Sequence, residues 1–175
     1  MPEPGDWSPF SVCPAEARPP ATRPPGTREG VADRLRSAAF AELQAREAFR
    51  WAAGRFLDAP AGLREEWRAL AEAEERHLGW LLARLAALGV DPAARPVSAR
   101  LWEALRSTRS AEEFELLIAK AEERGRQAGE RFRTALAPVD PESAAVFGRI
   151  ADEESAHVAL ARVWFPEAAG REGLA

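Results

Sequence analysis

Cysteine and lysine are almost missing from this chain, tyrosine is missing altogether, and histidine occurs only twice. With Cys13 alone, the chain has no intrachain disulfide, no cysteine-ligated zinc or iron–sulfur site, and no rubredoxin-type electron-transfer module. Lys120 is the only lysine, so positive charge comes from arginines, which are scattered rather than massed. A net charge of -4 leaves no basic footprint for nucleic acid or for a membrane surface. No apolar run is long enough to cross a bilayer. The N-terminus lacks a basic stretch followed by an apolar one, so it does not read as a secretory signal, and the expected compartment is the cytoplasm.

What is present suits long helices. The 175 residues suffice for one domain, with 46% apolar residues for a core and 30% charged residues for solvated faces. Residues 1–27 carry eight prolines and cannot be helical, and Trp7, Phe10 and Val12 favour an arm lying on the domain over a free tail. The remainder predicts helices over about 28–56, 61–88, 110–136 and 142–164, with 97–107 as a short connecting helix. Asp58-Ala-Pro60, Gly89 with Pro92, and Pro138 with Pro141 mark the breaks, and Ser110 followed by Glu113 is a good N-terminal cap. Nothing reads as a strand. The expected fold is all-α, a four-helix bundle over 28–165 with one crossover connection, followed by a C-terminal tail over 166–175.

Each long helix carries an apolar stripe interrupted by acid. The second reads Trp67, Leu70, Glu74, His77, Leu81, Leu85, Leu88; the fourth reads Phe147, Ile150, Glu154, His157, Ala161, Trp164. Both are broken by Glu-x-x-His. The first helix places Glu42 between Leu35 and Phe49, and the third places Glu122 between Ile118 and Gly125. Glu42 precedes Glu74 by 32 residues and Glu122 precedes Glu154 by 32, as if one helical hairpin had been duplicated. With 22 glutamates in 175 residues, both histidines would have glutamate three places earlier by chance in roughly one to two per cent of chains.

Charged carboxylates are strongly disfavoured in an apolar interior unless paired or bound to metal. Two divalent cations would balance four glutamates, and two neutral imidazoles would complete the inner shell. Glu and His at i and i+3 share a helix face and can serve one ion. The candidate metal ligands are therefore Glu42, Glu74, His77, Glu122, Glu154 and His157. Oxygen and nitrogen donors without sulfur suit iron or manganese, with zinc also compatible. Glu47 competes with Glu42, and Glu115 lies on the same face as Glu122. Glu75, Glu123 and Glu153 read as solvated or arginine-paired. Gly125 and Gly129 read as close helix packing, with the alternative that Gly125 leaves room for oxygen or substrate.

Glu followed by Glu-x-x-His, repeated once, resembles the ferritin-like di-iron carboxylate superfamily of ferritins, rubrerythrins and a tRNA hydroxylase. AELQAREAF at 41–49, AEAEERHLGWLLARLAALG at 71–89 and ADEESAHVALARVWF at 151–165 look most like one uncharacterised, mostly bacterial ferritin-like family, a domain of unknown function related to that hydroxylase. AEERG at 121–125 is similar to the third-helix motif of both. The resemblance assigns the six residues above to ligand positions and implies two iron ions reacting with oxygen or peroxide. Two departures stand out. That family commonly has histidine two residues before its first-helix glutamate, where this chain has Phe40. The absence of tyrosine leaves Trp51, Trp80 or an external donor to carry electrons.

Three functions follow as expectations. The first is an oxidoreductase acting on a small-molecule substrate with oxygen or peroxide and an external electron donor. The second is a ferroxidase or peroxide-defence protein that handles iron. The third is a non-catalytic helical binding module with structural metal or none. A homodimer is compatible with each, whereas nucleic acid and membrane partners are not expected.

Overall fold

A computed structural model describes residues 6–174; residues 1–5 and 175, the ends of the expected arm and tail, lie outside the described residues. The protein is an all-helical bundle, with no strand among those residues. The long helices are α1 (Arg28–Arg55), α2 (Ala61–Ala87), α4 (Ala111–Leu136) and α5 (Pro141–Trp164), with the short α3 (Arg100–Arg106) between the middle pair and α6 (Pro166–Arg171) last.

Local chemistry sets the ends. Thr27, Ser110 and Asp140 cap α1, α4 and α5 by accepting from the backbone N–H of Gly30, Glu113 and Ser143, at 3.0, 3.1 and 3.0 Å. The α2 helix closes on Gly89 at φ +64°, with Val90 N–H donating to Leu85 C=O at 3.0 Å. This is the left-handed glycine stop.

The helices pair as α1 with α2 and α4 with α5, and the hairpins meet along α1–α4 and α2–α5. Phe114, near the start of α4, packs on Phe56 at the end of α1 and on Trp67 near the start of α2. At the other end, Arg34 near the start of α1 covers Phe132 near the end of α4. Segment 88–110 thus leaves α2 at one end of the bundle and starts α4 at the other. One apolar cluster, around Phe40, Leu43, Leu81 and Phe147, fills the end where α1 begins. A second, around Phe49, Trp67, Phe114 and Ile118, fills the opposite end. Each such buried Leu or Phe contributes about 1.5–3 kcal/mol.

The N-terminal segment packs onto the bundle. Trp7 meets Phe40 and Trp102 edge to face, and Val12 pairs with Val97 in an isolated parallel bridge. Asp33 fixes the arm by accepting from the backbone N and guanidinium of Arg23, from Arg36 at 3.1 Å and from Arg95 at 2.5 Å. Residues 166–174 are not a simple tail. Pro166 restarts a helix after Phe165, and Ala168, Ala169 and Leu174 are buried, Ala169 and Leu174 in a cluster with Ala119 and Ala161.

Candidate metal centre

Between the two apolar clusters lies a polar layer. Glu74 and His77 are 0% exposed, Glu154 2%, His157 6% and Glu122 8%; the Glu42 side chain is 13% exposed. Each occupies the stripe position read from the sequence, so helix packing that buries the stripes also brings the acids together. The two imidazole rings stack with centroids 5.7 Å apart and planes 19° from parallel.

Each of the two central carboxylates spans both histidines. Glu74 turns Oε2 toward His77 Nδ1 at 3.6 Å and Oε1 toward His157 Nδ1 at 2.9 Å. Glu154 turns Oε1 toward His77 Nδ1 at 3.2 Å and Oε2 toward His157 Nδ1 at 3.3 Å. Glu42 joins the His77 side, with Oε2 at 3.6 Å from Nδ1. Two overlapping four-residue sets result, Glu42–Glu74–His77–Glu154 and Glu74–Glu122–Glu154–His157, with ligand atoms within 4.8 Å of one another in each. Each set could hold one cation, with Glu74 and Glu154 common to both.

All four oxygens of Glu74 and Glu154 and both Nδ1 atoms are buried without a hydrogen bond of proper geometry. Buried polar atoms normally have such partners. Six that converge on one space and lack them fit a cation-binding role. Without cations, protons must balance the charge. Burial, together with the neighbouring ionised Glu74, raises the Glu42 carboxyl well above the usual range. Burial, with Glu154 and Glu74 nearby, does the same to Glu122. For Glu74, burial pushes upward but the Glu42 carboxyl and both imidazoles outweigh it, leaving the group low; Glu154 is low for the same reason, with Glu122 in place of Glu42. Both imidazoles resist burial through these acids. His77 is raised strongly, and His157 is raised to about 9.

The sequence reads Glu153 as solvated or arginine-paired. It does meet Arg76 at 3.4 Å, but its shorter contact is with His77 Nε2, at 2.9 Å. With Nε2–H donated outward to Glu153, Nδ1 is left facing the cluster. Such a carboxylate behind a histidine fixes the ring and raises its basicity as a ligand. Lying next to Glu154, and off the apolar stripe, Glu153 gave no sign of this in the sequence. Glu47 lies outside the cluster in a surface network with Arg46 and Arg50. Glu75 and Glu123 pair with arginines, Arg46 and Arg126. Glu115 is buried but accepts from Trp67 Nε1 at 2.7 Å, and burial raises its carboxyl to about 7 against the opposing effects of Trp67 and His157.

The glycines divide. A Cβ on Gly129 would stand 3.1 Å from both Ala151 Cβ and Phe147 O, so Gly129 permits close approach of α4 to α5. A Cβ on Gly125 would meet nothing within 4 Å. Gly125 lines a cavity of about 490 Å³ between α1 and α4, onto which Glu42, Glu122 and Glu154 open.

Fold and site together define a helical bundle with a buried acid–histidine cluster able to hold metal. The chain belongs to the family described as "Protein of unknown function (DUF455)", whose model matches residues 3–175. No curated protein and no solved structure matches it. No helix among the described residues is long and apolar enough to cross a membrane.

Proposed function

We propose that this protein is a ferritin-like di-metal oxidoreductase that uses two iron ions with oxygen or peroxide on an organic substrate. The observation carrying the reading is the pair of ligand sets sharing Glu74 and Glu154, whose buried oxygens and imidazole nitrogens lack other partners. Support for a ferritin-like bundle comes from segment 88–110, which returns the chain to the far end before α4, as a crossover connection does. Two iron ions held by these six residues would supply paired one-electron redox chemistry. The chain contributes the rest. Glu74 and Glu154 hold both sites in register, Glu153 orients His77, and the apolar clusters on either side exclude water. Substrate oxidation is favoured over iron handling alone by the cavity, which gives an organic molecule access to Glu42 and Glu122.

The test is anaerobic reconstitution of the apoprotein with Fe(II), followed by air. Two irons per chain with the near-ultraviolet band of an oxidised iron pair are expected, with iron remaining bound. Glu74→Ala and Glu154→Ala should each lose at least one metal per chain. Full occupancy in both variants would overturn the ligand assignment, and rapid oxidation with release would point to a ferroxidase instead.

A further inference from the structure

The cavity beside the cluster is larger than oxygen or peroxide requires. At about 490 Å³ it falls within the range of pockets that enclose drug-sized molecules. Ala38, Ala41 and Ala45 on α1 face Ala121, Gly125 and Ala128 on α4 across it, so its walls are apolar. Glu42 and Glu122 open onto it at one level of α1, and Arg34 stands toward the start of that helix.

Arg34 is the one cation lining this space among the described residues. Its Nη1 donates to Arg23 C=O and Gly30 C=O, both at 2.8 Å, and its guanidinium lies 5.5 Å from the centre of the Phe132 ring. These contacts position the guanidinium without neutralising it. No carboxylate of the described residues comes within ion-pair distance of Arg34, whereas Arg23, Arg36 and Arg95 all converge on Asp33. A half-buried guanidinium, held in place and lacking a counter-charge on the wall of an apolar cavity, is built to receive an anion.

The geometry points to a substrate class: an elongated apolar molecule ending in a carboxylate, its head on Arg34 and its far end at Glu42 and Glu122. Eight residues of helix separate Arg34 from Glu42, a span of about 12 Å. A planar carboxylate matches the guanidinium fork and its single charge. A phosphate dianion would leave charge unbalanced in apolar surroundings. The head sits at Arg34 rather than at the acids because that guanidinium is the one cation lining the cavity among the described residues. What happens at the far end rests on the di-metal reading; binding of the head and body depends on this chain alone.

The experiment measures binding of straight-chain carboxylic acids of about eight to fourteen carbons, bracketing the ~12 Å span, to the full chain by calorimetry. Metal-free and Zn(II)-loaded protein are compared, beside methyl esters and alkyl phosphates of equal length. The acids should bind with an optimum length, and the esters should bind about 10- to 100-fold more weakly through loss of the charge-assisted bond. Arg34→Gln should bring the acids down to the level of the esters. Since Arg34 also supports the arm, Gly125→Phe is the second variant. It should abolish binding of acid and ester alike while helix content and metal content persist. Equal binding of acid and ester, tighter binding of phosphate, or undiminished acid binding in Arg34→Gln would overturn the assignment. Acid binding without metal uptake would support this site and sink only the di-metal reading; metal uptake without acid binding would sink only this site.

Discussion

Metal uptake by this protein should release about four protons per chain near neutral pH. In the metal-free cluster Glu42 and Glu122 are held neutral by burial, Glu74 and Glu154 are ionised, and both histidines carry a proton. Two anions and two imidazolium ions balance. Two divalent ions on four carboxylates and two neutral imidazoles balance as well, so loading replaces about four protons with two cations. By linkage, the apparent affinity for the two ions together should rise about four decades per pH unit, or about a hundredfold per ion. Calorimetric titration with Zn(II), repeated in buffers of different ionisation enthalpy from pH 6 to 8, measures the proton count. Release of fewer than about two protons would refute the reasoning, because a cluster already stripped of protons could not be electrically balanced without metal.

Other perturbations separate the roles of neighbouring groups. Glu153→Ala should weaken the ion held by His77 about tenfold or more and leave the other nearly unchanged, as read by equilibrium metal titration. Asp33→Asn should cost about 2 kcal/mol at pH 7, because Arg23 and Arg95 hold that carboxyl, against burial, at about 2. That stability is present above the unfolded value near 3.8 and is lost as pH falls toward 2, so urea-unfolding curves of the two proteins should converge there. Glu115→Gln should act in the opposite sense. Its folded value of about 7 exceeds the ordinary 4.5, so ionisation costs the metal-free protein about 3 kcal/mol above pH 7 and nothing below 4.5. The variant should therefore be more stable at pH 8, equal to the parent at pH 4, and unchanged in metal content; lost metal would make Glu115 a ligand.

The helices were legible because their signals are local. Proline breaks and the cap at Ser110 bound them, and periodic apolar residues supply their faces. The six cluster residues stood out because acid on an apolar stripe violates the pattern that builds a core. What stayed hidden depends on contacts between helices. Glu153 looks like any acid of a solvated face until α2 and α5 pack and His77 Nε2 reaches it. Glu115 sits on the stripe as a ligand would, and only the position of Trp67 reveals another partner. The Asp33 clamp joins one of 28 acids to three of 24 bases, a choice no periodicity makes. At six residues, α6 is too short to show a stripe, and Ala169 is buried only because α4 and α5 offer Ala119 and Ala161. The two meanings of glycine, close packing at Gly129 and open space at Gly125, are identical in sequence.

The internal repeat reproduces the candidate ligands but not their surroundings. An offset of 80 residues takes Glu42, Glu74 and His77 to Glu122, Glu154 and His157. The same offset takes Ala73 to Glu153, Leu35 to Glu115, Ala45 to Gly125 and Phe49 to Gly129. His77 thus has a carboxylate behind its ring where the corresponding position behind His157 holds Ala73, which offers none. The apolar packing of Ala45 and Phe49 in the first half is exchanged for glycine in the second, and Gly125 has open space beside Glu122. A histidine whose Nε2–H is held by a carboxylate is the more basic and better oriented ligand. The first equivalent of metal should therefore settle with Glu42 and His77, the second with Glu122 and His157. Glu42 and Glu122 both open onto the cavity, so the order of filling should be set by the carboxylate behind His77 rather than by access from the cavity.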